Sequence, residues 1–521
     1  MNLKITNRFT PELPADTDLS NATRQVYEAC FSYVTPRSPS QPKLLHVSSA
    51  VAELLGISSD AIESEQFLTT FSGKEVLPNT QPFAMCYGGH QFGHWAGQLG
   101  DGRAINLTEV EHNQQMHMLQ LKGAGKTPYS RNADGLAVLR SSIREHLCSE
   151  AMFYLGVPTT RSLSLMTTGD AVMRDMLYDG HPDYEKGAVV CRVAPSFIRF
   201  GSFELFSARN DGKNIKLLTD FTIKHYFPEI KGETKESYLA FFKSVAANTR
   251  KMIVQWQRVG FVHGVMNTDN MSIHGITIDY GPYGWLEDYN LNWTPNTTDN
   301  QHKRYAYGNQ PDIALWNLYQ LANALFPLIE EAAPLEAILN NFAELYESDY
   351  MDMMMQKLGL QQHSRENTIL ITELEKVLQL SETDMTIFFR ELAFVKKEFS
   401  TGGAISTINN AFYKPQEISK TILKAWEIWF KKYLDRLQKE VISDEKRKES
   451  MDAVNPKYVL RNYMAQLAID TANADDFSLI DELYTVLQHP YSEQQQHEKW
   501  YAKRPDWARE KVGCSMLSCS S

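Results

Sequence analysis

Apolar positions change their period along this chain, and the change predicts how it is organised. Between residues 81 and 135 the apolar runs are short and broken by glycine, which predicts strands joined by tight turns. From Leu136 to Leu155 the spacing becomes helical, with Leu136, Leu139, Ile143, Leu147 and Ala151 on one stripe and Gly156 and Pro158 as the stop. TRSLSLMTT and AVVCRVA then return to strand spacing. The whole of 81–205 therefore predicts a small α+β lobe. Residues 1–80 read as an N-terminal extension, with a helix in SAVAELLGI around 49–57.

Beyond residue 205 helix dominates. SYLAFFKSVAANTRKMIVQWQRVG ends at Gly260, and PDIALWNLYQLANALFPLI has Pro311 placed to start it. After Pro415, the residues Ile418, Ile422, Trp426, Trp429, Tyr433, Leu437 and Val441 form a core stripe at helical spacing. The expected division is a helical lobe over 206–400 and a helical C-terminal region over 401–521. No internal repeat or low-complexity linker interrupts it.

Composition narrows the function classes. The 521 residues exceed one ordinary core, and 43% hydrophobic with 22% charged residues is usual for a globular protein. A net charge of −11 argues against a nucleic-acid partner held through phosphates. No apolar run is long enough to span a membrane, and MNLKITNRFTPELPADTD has neither a secretory nor a transit pattern, so a cytoplasmic location is expected. Six scattered cysteines make no disulfide framework. Cys30, Cys86, Cys148 and Cys191 are expected to be buried. Cys514 and Cys519 lie in GCSMLSCSS, which has no packing pattern; an unpacked tail is expected, an exposed redox-active pair being the alternative.

The candidate chemistry begins at GFVHGVMNTDNMSIHGITIDYG. A protein-kinase catalytic loop runs His-x-Asp, four residues, then Asn, followed by Asp-Phe-Gly at the metal. His263 and Asn270 keep that spacing and Asp279-Tyr280-Gly281 follows, but Val265 holds the place of the catalytic Asp. The stretch 270–279 reads as a β-hairpin turning at His274-Gly275, which would set Asn270 opposite Asp279. An amide oxygen and a carboxylate so placed form a hard site for Mg²⁺ or Mn²⁺; a surface hairpin with polar ends is the plainer alternative. Asp269 could accept a proton where Val265 cannot, or serve as a turn residue.

Other residues suit phosphate. In KGAGKTPYSR the first glycine of a Walker loop would fall at Gln120, so that motif is rejected. Instead, Lys122 ends a strand as a kinase phosphate-binding lysine does, and Glu145 follows 23 residues later on the helix. Glu145 falls opposite the apolar stripe, where a solvated side chain is the plainer expectation. Gly100, Gly102 and Arg103 form a glycine turn with a guanidinium. Arg192 and Arg199 stand in apolar sequence and need anionic partners, internal or bound. His90 and His94 lack a third ligand and rank below structural residues.

CYGGHQFGHWAGQLGDGRA, LQLKGAGKTPYSRNADG, VLRSSIREHLCSEAM, RVAPSFIRFGSFE, GVMNTDNMSIHGITIDYGP and NPKYVLRNYMAQLAI resemble the selenoprotein O family, from about residue 80 to the C-terminus. The resemblance implies a protein-kinase-like, two-lobed α+β fold lacking the usual catalytic Asp. It implies ATP bound in an orientation flipped relative to kinases, and transfer of AMP to Ser, Thr or Tyr hydroxyls of proteins. UTP is the alternative donor. Lys122, Arg192 and Arg199 would hold the triphosphate. Gly100, Gly102, Arg103, Asp134, Gly135 and Asp279 would contribute to the nucleotide site. Asn270 and Asp279 would bind Mg²⁺ or Mn²⁺, Asp269 would accept the proton, and Glu145 would pair with Lys122. Eukaryotic members carry selenocysteine where Cys519 stands. Some bacterial members pair a terminal cysteine with one after the metal loop, but residues 284–305 here contain none, leaving Cys514–Cys519 as the available pair. The competing expectations are a kinase transferring the γ-phosphate and a catalytically silent ATP-binding scaffold.

Overall fold

A computed structural model describes residues 1–176, 180–514 and 517–518. Its centre is an antiparallel sheet. Three strands come from the first eighty residues: β1 (Lys4–Ile5), β2 (Phe31–Tyr33) and β3 (Lys43–Val47). They are followed by β4 (Phe83–Met85), a separate hairpin of β5 (Gly88–Gln91) and β6 (His94–Gln98), then β7 (Ala104–His112), β8 (Gln115–Lys122), β9 (Ala137–Val138), β10 (Arg161–Arg174) and β11 (Asp183–Ala194). The main sheet runs β2-β4-β7-β8-β11-β10-β3, with β1 on β7 and β9 on β11. Asn113 and Gln114 join β7 to β8 with φ of 49° and 63°, the positive values a two-residue turn needs to follow strand twist.

Helix α1 (Leu139–Tyr154) packs on β10 and β11, burying Leu139, Ile143, Leu147 and Ala151. Its other side meets helices Asn462–Asn473 and Ser478–Leu487, so every residue from Leu139 to Met152 is buried. A helix covered on both sides must satisfy its polar residues internally. Glu145, opposite the stripe, is buried where it meets Lys122 of β8 and Arg192 of β11, so it is paired rather than solvated.

The helical part is built from α2 (Phe200–Ala208), α3 (Lys235–Val259), α4 (Gln310–Ile329), α5 (Ala332–Leu358), α6 (Arg365–Leu378) and α7 (Lys420–Leu437). Thr234 caps the start of α3, and Gly260 at φ 74° closes it, the left-handed position glycine favours. Pro311 sits in the first turn of α4. On α7, Trp426, Trp429, Tyr433 and Leu437 are buried as expected. The stripe is shorter than its spacing predicts: Ser419 caps the helix after Ile418, the helix ends at Leu437, and Val441 is 90% exposed. No helix among the described residues is long and apolar enough to cross a membrane.

Candidate active site

The predicted hairpin over 270–279 does not form. Residues 268–270 are a turn of 3₁₀ helix. Ser272 instead bridges Arg199, and Thr277 bridges Thr159. The Phe200 N–H donates to the Met271 carbonyl at 2.9 Å, and the Thr277 N–H to Pro158 at 2.9 Å. The backbone groups of the two arms are thus satisfied by different neighbours, and the arms diverge after the turn at Gly275. Asn270 and Asp279 nevertheless line one cavity of about 650 Å³.

That cavity gathers most of the candidates. Gly100, Gly102, Arg103, Lys122, Asp134, Gly135, Arg192, Arg199, Asp269, Asn270 and Asp279 all line it, with Val265. Glu145 lies behind the wall. β8 and β11 set the register: Lys122 is opposite Val190 and Arg192 opposite Gln120, so Lys122 and Arg192 project from one face. Glu145 on α1 bonds to both, one carboxylate oxygen each. Burial alone would raise Glu145, but Arg192 and Lys122 hold its carboxyl below the usual range. Burial, resisted by Glu145, brings Lys122 down to about 8.

Arg192 continues the chain of charges, donating to Asp279 Oδ1 at 2.7 Å and to Gln120 Oε1 at 3.0 Å. Arg199, the residue before α2, pairs with the other oxygen of Asp279 and donates to the Asp269 carbonyl at 2.6 Å. Its guanidinium lies 4.6 Å from the centre of the Tyr87 ring and 3.7 Å from Asp101 Oδ1. Against the cost of burial, Arg199, Arg192 and Lys122 hold Asp279 well below the usual carboxylate range. Asp279 has φ 57°, a left-handed conformation uncommon outside glycine, Asn and Asp, and typical of functional sites. The expected anionic partners of both arginines are therefore internal here, Glu145 and Asp279.

At the glycine turn of the cavity, Gly100 has φ 91°, and a Cβ there would meet the Tyr129 ring at 2.4 Å. Asp134 accepts from both terminal nitrogens of Arg174 at 2.8 Å and from the Leu136 N–H at 2.9 Å. Arg174 also lines the cavity and escaped sequence reasoning, since nothing in its local pattern ties it to a residue forty positions earlier.

Asp269 is covered by the β5–β6 hairpin. The Gln91 amide donates to Asp269 Oδ2 at 3.2 Å, the His90 N–H to Thr268 Oγ1 at 2.7 Å, and the Phe92 N–H to Asn267 Oδ1 at 3.2 Å. Asp269 Oδ1 is buried without a partner. Burial pushes its carboxyl up to about 7, against the pull of Arg199. Gln91 and Gly89 are the residues sequence reasoning missed; the double glycine of GGHQ was their one signal. A Cβ on Gly89 would lie 2.9 Å from Asp269 Oδ1. Gly89→Ala is expected to displace the hairpin from Asp269 and to lower turnover at this cavity about 10²-fold, checked by initial rates alongside an unchanged melting temperature. His90 contacts Glu204 at 3.3 Å, His94 is exposed, and no cluster of metal-ligating side chains forms around them among the described residues.

The residues that could hold a cation are Asp279 and Asn270, both at the cavity. Asn270 donates its amide hydrogen to the Val265 carbonyl at 2.9 Å, which fixes the side chain's orientation. One firmly ionised carboxylate with an amide oxygen, completed by phosphate oxygens, fits a hard divalent ion.

The C-terminus departs from expectation. Cys514 is buried, burial pushes its thiol up to about 11, and its carbonyl accepts from the Asn462 amide at 2.7 Å. Leu517 pairs with Asn296, whose amide donates to the Gly264 carbonyl at 3.0 Å. A segment without helical or strand spacing packs here through backbone pairing. Cys519 lies outside the described residues. Cys30, Cys86, Cys148 and Cys191 are buried free thiols.

Residues 15–488 match the family model described as protein adenylyltransferase SelO. This chain belongs to that family. It is 68% identical to the protein nucleotidyltransferase YdiU of Flavobacterium johnsoniae, over the whole of both chains. It is 52% identical to the one from Rhodopirellula baltica, covering 100% of this chain and 99% of that one. The Aromatoleum aromaticum protein of the same name is 51% identical over both full lengths. The family match spans every residue that lines the cavity, from Tyr87 to Pro282.

Proposed function

We propose that this protein transfers AMP from ATP to a hydroxyl of a protein, releasing pyrophosphate. Membership of the adenylyltransferase family supports the reaction class. The observation that carries the residue assignment is a buried carboxylate, Asp269, at the cavity that also presents Lys122, Arg192 and Arg199, with Val265 where a kinase base would stand. The fold reading that goes with it is a protein-kinase-like pair of lobes over 81–205 and 206–400, an extension over 1–80 and a helical region over 401–521. The cavity between the β8–β11 wall and the 265–282 loop supports that division.

In the reaction a hydroxyl oxygen attacks the α-phosphorus. The bond from that phosphorus to the β-phosphate oxygen breaks, and pyrophosphate leaves with the electron pair. Asp269 takes the hydroxyl proton; Gln91 and the Arg199 contact to its backbone hold it in place. Lys122, Arg192 and Arg199 oppose the charge growing on the leaving group. Glu145 keeps Lys122 and Arg192 on the same face before the nucleotide arrives. Gly100, Gly102, Arg103, Asp134 and Gly135 shape the nucleotide end. Asn270 and Asp279 would hold Mg²⁺ or Mn²⁺, which supplies charge neutralisation at the phosphates when bound.

ATP labelled separately at the α and γ positions tests this reading. Label is expected in protein from the α position only. Incorporation from γ alone would make the protein a kinase, and none from either would make it a scaffold. Unlabelled UTP competing as well as ATP would move the donor to UTP.

A further inference from the structure

Away from this cavity, beside α4, α5 and α6, lies a second one of about 360 Å³. Phe342, Tyr346 and Tyr350 of α5 and Leu315 of α4 give it apolar walls, and Asp312 and Glu375 give it two carboxylates. The Tyr346 and Tyr350 rings are nearly parallel, with centres 5.9 Å apart. The Tyr350 hydroxyl donates to one oxygen of Glu375. Tyr289 is buried with its hydroxyl beside that of Tyr350.

Several carboxylates buried in the protein are matched by cations, whereas Glu375 is half-buried without one and Asp312 is exposed. Glu150 is matched by Arg161 at 2.8 Å, Asp384 by Arg461 at 2.7 Å, and Glu145 by Arg192 and Lys122. Among the described residues neither Glu375 nor Asp312 has a basic partner. Burial raises the Glu375 carboxyl above its ordinary value, as expected for a half-buried acid without a neighbouring cation. Aromatic faces and a carboxylate around one cleft are the chemistry that takes an organic cation, through ring quadrupoles and charge together.

We propose that this cavity binds the guanidinium or ammonium group of an arginine or lysine side chain on the protein substrate. The substrate assignment rests on the transfer reaction proposed above; the cation site does not. The two cavities are joined through α4. Asp312 and Leu315 face the second cavity, while Trp316 contacts His90 of the β5–β6 hairpin at 5.5 Å between ring centres. The Asn317 amide donates to the Met266 carbonyl at 2.9 Å, just before the Asp269 loop. A protein presenting its hydroxyl at Asp269 thus meets α4 as its next surface. The acidic cleft would select substrates carrying a basic residue some way from the modified one.

The test has two arms, both on the full chain. In the first, n-butylguanidinium chloride is titrated against the protein by saturation-transfer NMR, with n-butanol as the neutral control. Saturable binding of the cation is expected, weakened about tenfold or more in Glu375→Gln, which keeps shape but removes charge. Equal binding of n-butanol, or equal cation binding by wild type and Glu375→Gln, would overturn the site. Unchanged ATP affinity in the variant confirms that it is folded. In the second arm, AMP incorporation is measured into serine peptides that carry either arginine or norleucine at varied distances from the serine. The arginine series is expected to have the lower KM, and Glu375→Gln to erase that advantage while leaving kcat in place. Equal KM for the two series in wild type would overturn the substrate assignment. Absence of incorporation into any acceptor, protein included, would count against the transfer reaction and leave the titration to decide the cation site.

Discussion

Asp269→Asn is expected to lower AMP transfer about 10²–10⁴-fold, the usual worth of a positioned general base. The substitution keeps the shape of the side chain. Its amide oxygen can still accept from Gln91, now 3.2 Å from Asp269 Oδ2, and the backbone carbonyl still accepts from Arg199. Only the capacity to take a proton disappears. ATP affinity, which the proposed function assigns to the lysine and arginines across the cavity, should change little. Incorporation of α-labelled ATP into protein gives the rate, and calorimetric titration with ATP gives the affinity. A variant retaining more than a tenth of wild-type transfer would remove Asp269 as the base. Val265, buried at the place of a kinase's aspartate, offers no substitute.

Glu145→Ala carries the second large effect, and it falls on stability. Lys122, Arg192 and Glu145 are almost fully buried. Removing the shared carboxylate leaves two cations in the interior facing each other, and breaking a buried ion pair this way costs about 3–5 kcal/mol. Denaturant titration should show the loss, and a cost below about 1 kcal/mol would mean the three charges are better hydrated than their burial implies. Replacing all three together, as Lys122→Met, Glu145→Leu and Arg192→Met, should recover much of the stability and none of the activity. The pH dependence has a definite sign. Because the folded-state value of Glu145 lies below its ordinary 4.5, its contribution is present in full above that pH and is lost as pH falls through the folded value. The gap between wild type and Glu145→Gln should therefore be wide at neutral pH and close in acid.

What the sequence makes legible follows from how local each signal is. Lys122 at a strand end and the glycine turn at 100–102 are set by short-range pattern, and both are found at the cavity. The loop from His263 to Asp279 is legible as chemistry but not as shape. Its hairpin spacing is sound, yet the residues around 158–160 and 198–200 compete for the same backbone groups and win. Glu145 defeats periodicity because the side of α1 that a lone amphipathic helix would leave to water here meets Lys122 and Arg192 of the sheet. Gln91, Gly89 and Arg174 reach their partners across long sequence separations, which no local pattern encodes. The resemblance to a known family, carried by motifs rather than by spacing, is what singles out Asp134 and Gly135. Val441 shows the opposite error, a helical stripe extended past the end of its helix.

The hydrogen bonds that fasten the β5–β6 hairpin to the Asn267–Asp269 loop join residues about 178 positions apart. In engineering terms the two stretches are one part delivered in two pieces. A library that randomises residues 88–92 alone will mostly sample ways of misplacing Asp269, whatever specificity it was built to explore. A chimera between relatives that exchanges one stretch without the other crosses over inside the part. Exchanging both together leaves the fastening intact and lets acceptor preference vary on its own.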